Sequence, residues 1–294
     1  MCYSAMIKAE YAKYLRATGA QMDLPQFMEI FGWEIGDKRL EVPRAVELWF
    51  DNPANDAEAR LHELIAARRR KIESALQVEL FSQKRRLADA ERKLATRQTK
   101  AALNDMRIAT NNIERYARKL GRIFDPQLRD GDARFFEHHQ VPIVAMENGR
   151  RVLRLAGYHL DPDGRRGHYN ARRDNINYWR TPYGTTHAVM LVTSFYENVK
   201  LGGVNKVLHF IPRPRDDMLI ACLYQRQADG RYAFAAVTDD PPPEVRAAGH
   251  DRMIINIRPE NLEAWLTPQG RSDAELQAIL GDRQTPHYEH EIAA

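Results

Sequence analysis

The sequence has little cysteine: Cys2 and Cys222 are the two among its 294 residues. Two thiols exclude a disulfide scaffold, and, set so far apart, they lack the paired spacing of a zinc site. Long apolar runs are lacking as well, since none approaches the roughly 18 residues of a membrane-spanning helix. The opening stretch MCYSAMIKAEYAKYLR puts charges where a secretory signal needs an unbroken apolar segment. The expectation is a cytoplasmic protein with no membrane partner. Between Ala54 and Leu120 there is neither glycine nor proline, which excludes ordinary turn chemistry from that stretch.

What is present fits one large core with an elaboration: 44% of residues are hydrophobic and 29% charged. The segment without Gly or Pro is rich in Ala, Leu, Arg, Lys, Gln and Glu, which predicts helix. Asn55 or Asp56, after Pro53, marks its N-cap, and Gly121 marks its end. Leu61, Leu64, Ile65, Ile72, Leu76, Leu80, Leu87 and Leu94 recur at steps of three, four and seven, giving one packing stripe. One straight helix of this length would span roughly 100 Å. An antiparallel hairpin is therefore expected, turning at Thr96 to Thr99 or at Asn104 to Asn112. The net charge of +4 is uneven: Ala57 to Leu120 holds 16 Lys and Arg against 8 Asp and Glu, a net of +8, leaving −4 elsewhere. Such a segment suits nucleic acid or a solvated helix surface, with basic triplets at Arg68 to Arg70 and Lys84 to Arg86.

After Gly121 the texture changes to short strand-like runs at 141–146, 151–160, 187–197, 206–211, 218–226, 232–238 and 253–257, parted by DPDG, RPRDD, ADG and DDPPP. Cys222 lies in the apolar run MLIACLYQ and reads as a buried thiol. Short helices are expected at Tyr11 to Ala17, Pro259 to Trp265, and Asp273 to Leu280 behind Ser272 as N-cap. The fold class is α+β: a curled, barrel-like mixed or antiparallel sheet with flanking helices and a long inserted helical hairpin. The domain expectation is a catalytic β domain of residues 1–24 and 123–294, with 25–122 a mainly helical insertion whose basic hairpin is 55–120.

Cys2 follows Met1 and is small enough for methionine removal, which would expose an α-amine and a thiol on one residue. The two groups have reference pKa values of about 7.7–8.0 and 8.5, so both are nucleophilic near neutrality. Together they can condense with an aldehyde to a thiazolidine. Three further motifs bear on this: NARRD (170–174) with Asn170 and Arg172, FYEN (195–198) ending a strand with Glu197, and GHDRM (249–253) preceding a strand with His250. A carboxyl at the end of an apolar strand is expected to be partly desolvated, with its pKa raised, and a histidine beside it can serve as acid or base.

This order and spacing resembles the SOS response-associated peptidase (SRAP) family, whose pattern is an N-terminal MC, NAR-x-E, an aromatic pair followed by Glu, and H-x-R-M. The resemblance implies a SRAP-like fold and capture of abasic sites in single-stranded DNA by a covalent crosslink. It implies that Cys2 is the nucleophile, Glu197 the general acid/base and His250 the aid to sugar ring opening, with Asn170 orienting the N-terminus and Arg172 contacting phosphate. Arg173 and Arg252, with Arg165 and Arg166, add phosphate-binding charge, and Trp179, Tyr178 and Tyr183 supply stacking faces. No cofactor or metal is implied, and a monomer, nucleoid-associated when bound to DNA, is expected. A protein or DNA partner for the helical segment stays open.

Departures from the pattern are Ser4 for an arginine, Asp174 for glutamate, Ile254 for proline, Asn198 for tryptophan, and an unfamiliar tail, TPHYEHEIAA. A cysteine peptidase acting in trans through Cys2, His250 and Glu197 is one alternative, and a non-catalytic nucleic-acid-binding protein another. A metal hydrolase is more remote, because His138, His139, His287 and His290 read as surface histidines of polar loops without a ligand set.

Overall fold

The structure, a computed structural model, describes residues 4–8, 10–33, 41–129, 131–162 and 167–293. Cys2, Arg165 and Arg166 lie outside the described residues. The chain divides into two compact units, one of Met1–Ile30, Gly36–Asn52 and Leu128–Ala294, the other of Phe31–Ile35 and Pro53–Gln127.

The second unit is built on two long helices, α4 (Asp56–Thr96) and α5 (Lys100–Ile123). They follow α1 (Tyr11–Thr18), α2 (Leu24–Gly32) and α3 (Arg44–Leu48), the last two falling in the stretch expected to be mainly helical. The Asn55 side chain accepts the Glu58 N–H at 3.0 Å, satisfying one of the helix's orphan donors, and Thr99 caps α5 through the Ala102 N–H at 3.2 Å. Extended backbone at Arg97 and Thr99 makes the break, so the first of the two expected turn positions is the one used. Gly121 does not end α5. A glycine inside a helix costs only about 1 kcal/mol, and the helix runs on to the buried Ile123. The seam carries Ala90, Ala102 and Ala109, each no more than 2% exposed, beside an Arg86–Asp105 ion pair at 2.6 Å.

The first unit holds a twelve-stranded mixed sheet. Its early strands are β1 (Ser4–Ile7), β2 (Gln21–Met22), β3 (Arg134–Phe136), β4 (Gln140–Glu147), β5 (Arg150–Tyr158) and β6 (Asn170–Arg172). Then come β7 (His187–Leu201), β8 (Val204–Arg213), β9 (Met218–Arg226), β10 (Tyr232–Asp239), β11 (Met253–Ile254) and β12 (His287–Ile292). Five strands close on themselves, β4 to β5 to β10 to β9 to β7 and back to β4, with β10 and β5 parallel and the other pairs antiparallel. This is the curled, barrel-like α+β fold that the strand runs implied.

β7 belongs to two regions. Its first half pairs with β4 and β9 in the ring, and its second half pairs with β1 and β8. The β7–β8 hairpin turns on Gly202 and Gly203, with φ of 59° and 80°, a two-residue turn that needs glycine-like freedom twice. The unfamiliar tail is β12, which pairs with β8, so His287 and His290 lie on a strand instead of a loop. α6 (Pro243–Ala247), α7 (Leu262–Leu266) and α8 (Asp273–Gly281) complete the unit, α8 starting from a full Ser272–Glu275 capping box.

The core confirms Cys222 as a fully buried thiol whose pKa burial pushes far up, leaving it unreactive. His187 is also a core group. It stacks on Trp265 at 3.9 Å, bonds the Trp265 carbonyl through Nδ1 at 2.9 Å, and accepts the Gly184 N–H at Nε2 at 3.0 Å. Among the described residues no helix is long and apolar enough to cross a membrane.

Candidate active site

Alternation along β7 separates the three residues of FYE. Phe195 points into the core and stacks on Phe210 at 5.1 Å. Tyr196 stacks on His209 at 4.2 Å, with the Arg134 guanidinium 3.6 Å from its ring centre. Glu197 points the same way as Phe195 and is fully buried. The strand does not end at Glu197, because pairing with β8 continues to Leu201. Glu197 is therefore a mid-strand interior carboxyl and not a strand-end residue.

His250 reaches Glu197 from another part of the chain. α6 ends at Ala247, Gly249 takes φ of 97°, and this left-handed step directs the chain into His250 just before β11. Nε2 of His250 lies 3.1 Å from Oε2 of Glu197. Nδ1 donates to the Arg252 carbonyl at 2.7 Å, which fixes the tautomer and aims the other nitrogen at the carboxyl. Burial lowers the His250 pKa. With Nε2 in hydrogen-bond reach of the carboxyl and burial disfavouring the charged imidazole, the pair is suited to passing one proton between carboxyl and imidazole.

Beside this pair runs the ladder β6–β10–β11. Asn170 pairs with Ala236, Arg172 with Thr238, and Thr238 with Ile254, so these side chains share one face. Asn170 is 6% exposed, yet neither atom of its amide has a hydrogen-bond partner among the described residues. The Thr238 hydroxyl and one terminal nitrogen of Arg252 are buried and unpartnered in the same sense. Leaving buried polar atoms unpaired costs about 1–3 kcal/mol each, and three such groups beside an acid/base pair mark a place built to receive a polar ligand. Asp174 ties two arginines together there, accepting from Arg172 at 3.0 and 2.7 Å and from Arg252 at 2.7 Å. These bonds hold its carboxyl far below the usual range.

The profile of the family described as SOS response associated peptidase (SRAP) matches residues 108–293, well over half of the chain. The chain belongs to the SRAP family. The match takes in Asn170, Glu197 and His250 and begins after Cys2. The family's name associates its members with the response to DNA damage. Two crystal structures are similar. One is of a protein from Bacteroides thetaiotaomicron, 18% identical, covering 53% of this chain and 74% of that one with a TM-score of 0.43. The other is of a protein from Bordetella bronchiseptica, 16% identical, covering 55% and 87% with a TM-score of 0.44. No curated protein matches the chain.

Of the residues the motifs singled out in this SRAP chain, Glu197 and His250 are in contact, and Asn170, Arg172 and Arg252 line the adjacent ladder. Two others are placed differently. Trp179 is 2% exposed, so its ring faces protein and offers no open stacking surface. Arg173 is committed to Asp239 at 2.9 Å and to Gln277 at 2.6 and 3.1 Å, a structural anchor. Tyr183 is likewise buried, its hydroxyl accepting from Gln277 at 3.1 Å, and Tyr178 is half-buried against Trp179. Thr238 was missed. Its one signal is alternation in YAFAAVT, which puts it on the same side as Ala236.

Proposed function

We propose that the chain captures abasic sites in single-stranded DNA through Cys2, exposed as the N-terminal residue by loss of Met1, and that Glu197 and His250 move the protons. The observation that carries this reading is the buried Glu197–His250 pair beside the unpartnered side chains of Asn170, Thr238 and Arg252. Chain connectivity adds support: Ser4 pairs with Tyr196, the neighbour of Glu197, and two residues of chain span at most about 7 Å.

The reaction would start with opening of the abasic sugar to its aldehyde, helped by proton transfer from the pair. The Cys2 amine adds to the aldehyde carbon and water leaves, giving an imine. The thiol then adds to the same carbon, its proton passes to nitrogen, and the thiazolidine ring closes. The net change is loss of one water, with no redox step. The carboxyl can donate to the departing oxygen and His250 can accept from the amine. Arg172 and Arg252, held side by side by Asp174, are positioned to receive backbone phosphate, and Asn170 to orient the amine.

The test is incubation of the mature protein with single-stranded DNA bearing one abasic site, followed by a denaturing gel. A covalent adduct without added reductant is expected with wild type and not with Cys2→Ala. Absence of the adduct in protein shown by mass to have lost Met1, or equal adduct in Cys2→Ala, overturns the reading. Repeated cleavage of an added peptide would instead favour a peptidase acting in trans.

A further inference from the structure

A second cluster in the β unit takes no part in the proposed chemistry. The turn from β3 to β4 carries Glu137 and His138, and the end of β5 leads into His159. Backbone bonds stitch the two segments together: His138 N–H to the Tyr158 carbonyl at 3.1 Å, and Tyr158 N–H to the His139 carbonyl at 3.0 Å. Nδ1 of His159 lies 2.7 Å from Oε1 of Glu137, and Nε2 of His138 lies 4.0 Å from the same oxygen. One nitrogen or oxygen from each of the three residues lies within 4.8 Å of the others.

Two features of the backbone serve this arrangement. His138 has φ of 74°, one of two left-handed non-glycine residues among those described. Strain of this kind concentrates at functional positions. Gly167 makes room for His159, since a Cβ at that position would lie 2.3 Å from Nε2 and 2.6 Å from Cδ2 of the ring. The two imidazole ring centres stand 4.4 Å apart.

We propose that Glu137, His138 and His159 form a binding site for a zinc-like divalent cation. Two imidazoles and a carboxylate suit Zn²⁺, whereas Ca²⁺ and Mg²⁺ prefer oxygen ligands throughout. With metal–ligand bonds of about 2.0–2.2 Å, tetrahedral ligand atoms lie about 3.3 Å apart. That separation falls between the 2.7 and 4.0 Å from the carboxylate oxygen to the two imidazoles, and all three atoms lie within 4.8 Å of one another, so side-chain shifts on the order of 1 Å would bring them to a shared ion. The partial exposure of all three side chains leaves the fourth position to water. His139, next in sequence, is directed to Glu41 at 3.3 Å and is not one of the ligands. A bound ion would fasten the β3–β4 turn to the segment after β5 and stabilise the folded unit by mass action.

The test uses full-length protein without a histidine tag. Zn²⁺ is titrated in competition with a chromophoric chelator, and Co²⁺ is added as a spectroscopic probe of geometry. One ion per chain is expected, with an intense visible tetrahedral Co²⁺ band and a raised Tm. Glu137→Gln and His159→Ala should each weaken binding at least about tenfold. Cys2→Ala and His287→Ala should leave it unchanged, which separates this site from chelation by the N-terminus or by β12. Failure to bind Zn²⁺ at micromolar concentration overturns the proposal, as does unchanged binding in Glu137→Gln. If His159→Ala does not fold, the Glu137→Gln titration and the Co²⁺ spectrum decide.

Discussion

The helical unit and the β unit treat polar groups in opposite ways. In the helical unit the seam is alanine, the helix starts are capped by their own neighbours Asn55 and Thr99, and the polar links Arg86–Asp105 and Asn112–Gln83 are made. Large apolar side chains even face outward, with Val78 69% and Phe81 71% exposed. In the β unit a carboxyl is fully buried, and the side chains of Asn170, Thr238 and Arg252 bury polar atoms without partners among the described residues. Stability in the first rests on local caps and side-chain pairs. In the second some of it is given up, and three of the unpaired groups lie along the β6–β10–β11 ladder, as expected where a ligand supplies the missing bonds.

The sharpest way to break this comparison is Glu197→Gln. The variant keeps the shape and removes the ionisable group, so adduct formation on abasic DNA should fall by about 10²–10⁴-fold. Melting temperature should change little, because the amide fills the same space and burial disfavours charge on the His250 left beside it. Loss of folding in this variant would make Glu197 a structural residue. His187 gives a second contrast, in stability. Burial pushes its pKa from 6.5 down to about 3. Between those values the unfolded chain binds a proton that the folded chain refuses. The stabilisation is thus present above pH 6.5 and is lost as pH falls toward 3, a swing on the order of 5 kcal/mol at 1.36 kcal/mol per unit. Urea unfolding at pH 7 and pH 4.5 should show this loss, and His187→Gln should flatten it. A profile unchanged by His187→Gln would assign acid sensitivity to other groups.

These differences explain what could be read from the sequence. The helical character and the start of α4 were legible because its cap at Asn55, its periodicity and its lack of Gly and Pro are all local, while its end stayed open between two turn positions. The ring was legible as a set of strands but not as a closure, since the parallel β10–β5 pair joins segments far apart in the chain. β12 was invisible because Tyr288 is its one buried side chain, so the run has no apolar alternation. Asn170, Glu197 and His250 stood out through their motifs. Thr238 did not, because a threonine in an apolar strand is ordinary until its hydroxyl is seen to lack a partner. Trp179 was read as a stacking face because composition does not say which way a ring points. His138 does lie at the surface, 41% exposed, and its nearness to His159 was not legible because that residue is on another segment.

The helical unit offers a medium-sized effect. Ala109 is fully buried, and Ala109→Leu would place extra carbons where there is no room, costing about 1–3 kcal/mol. Thermal unfolding followed by circular dichroism at 222 nm, where helix dominates the signal, should register the loss while adduct formation is unchanged. A variant as stable as wild type would show that the seam is looser than its alanines imply.

The smallest pair of effects probes the comparison most directly, because the two changes are of equal size and opposite sign. Asn55→Ala removes a satisfied cap and should destabilise the start of α4 by about 1 kcal/mol, read as faster amide exchange in its first turn. Thr238→Val replaces an unpartnered buried hydroxyl with a methyl of the same shape and should stabilise the β unit by about 1 kcal/mol. The same substitution should slow adduct formation, because the hydroxyl it removes is one the ligand would have satisfied. If Thr238→Val destabilises the protein, the hydroxyl already has a partner, and the β unit gives up no stability at that position for a ligand to return.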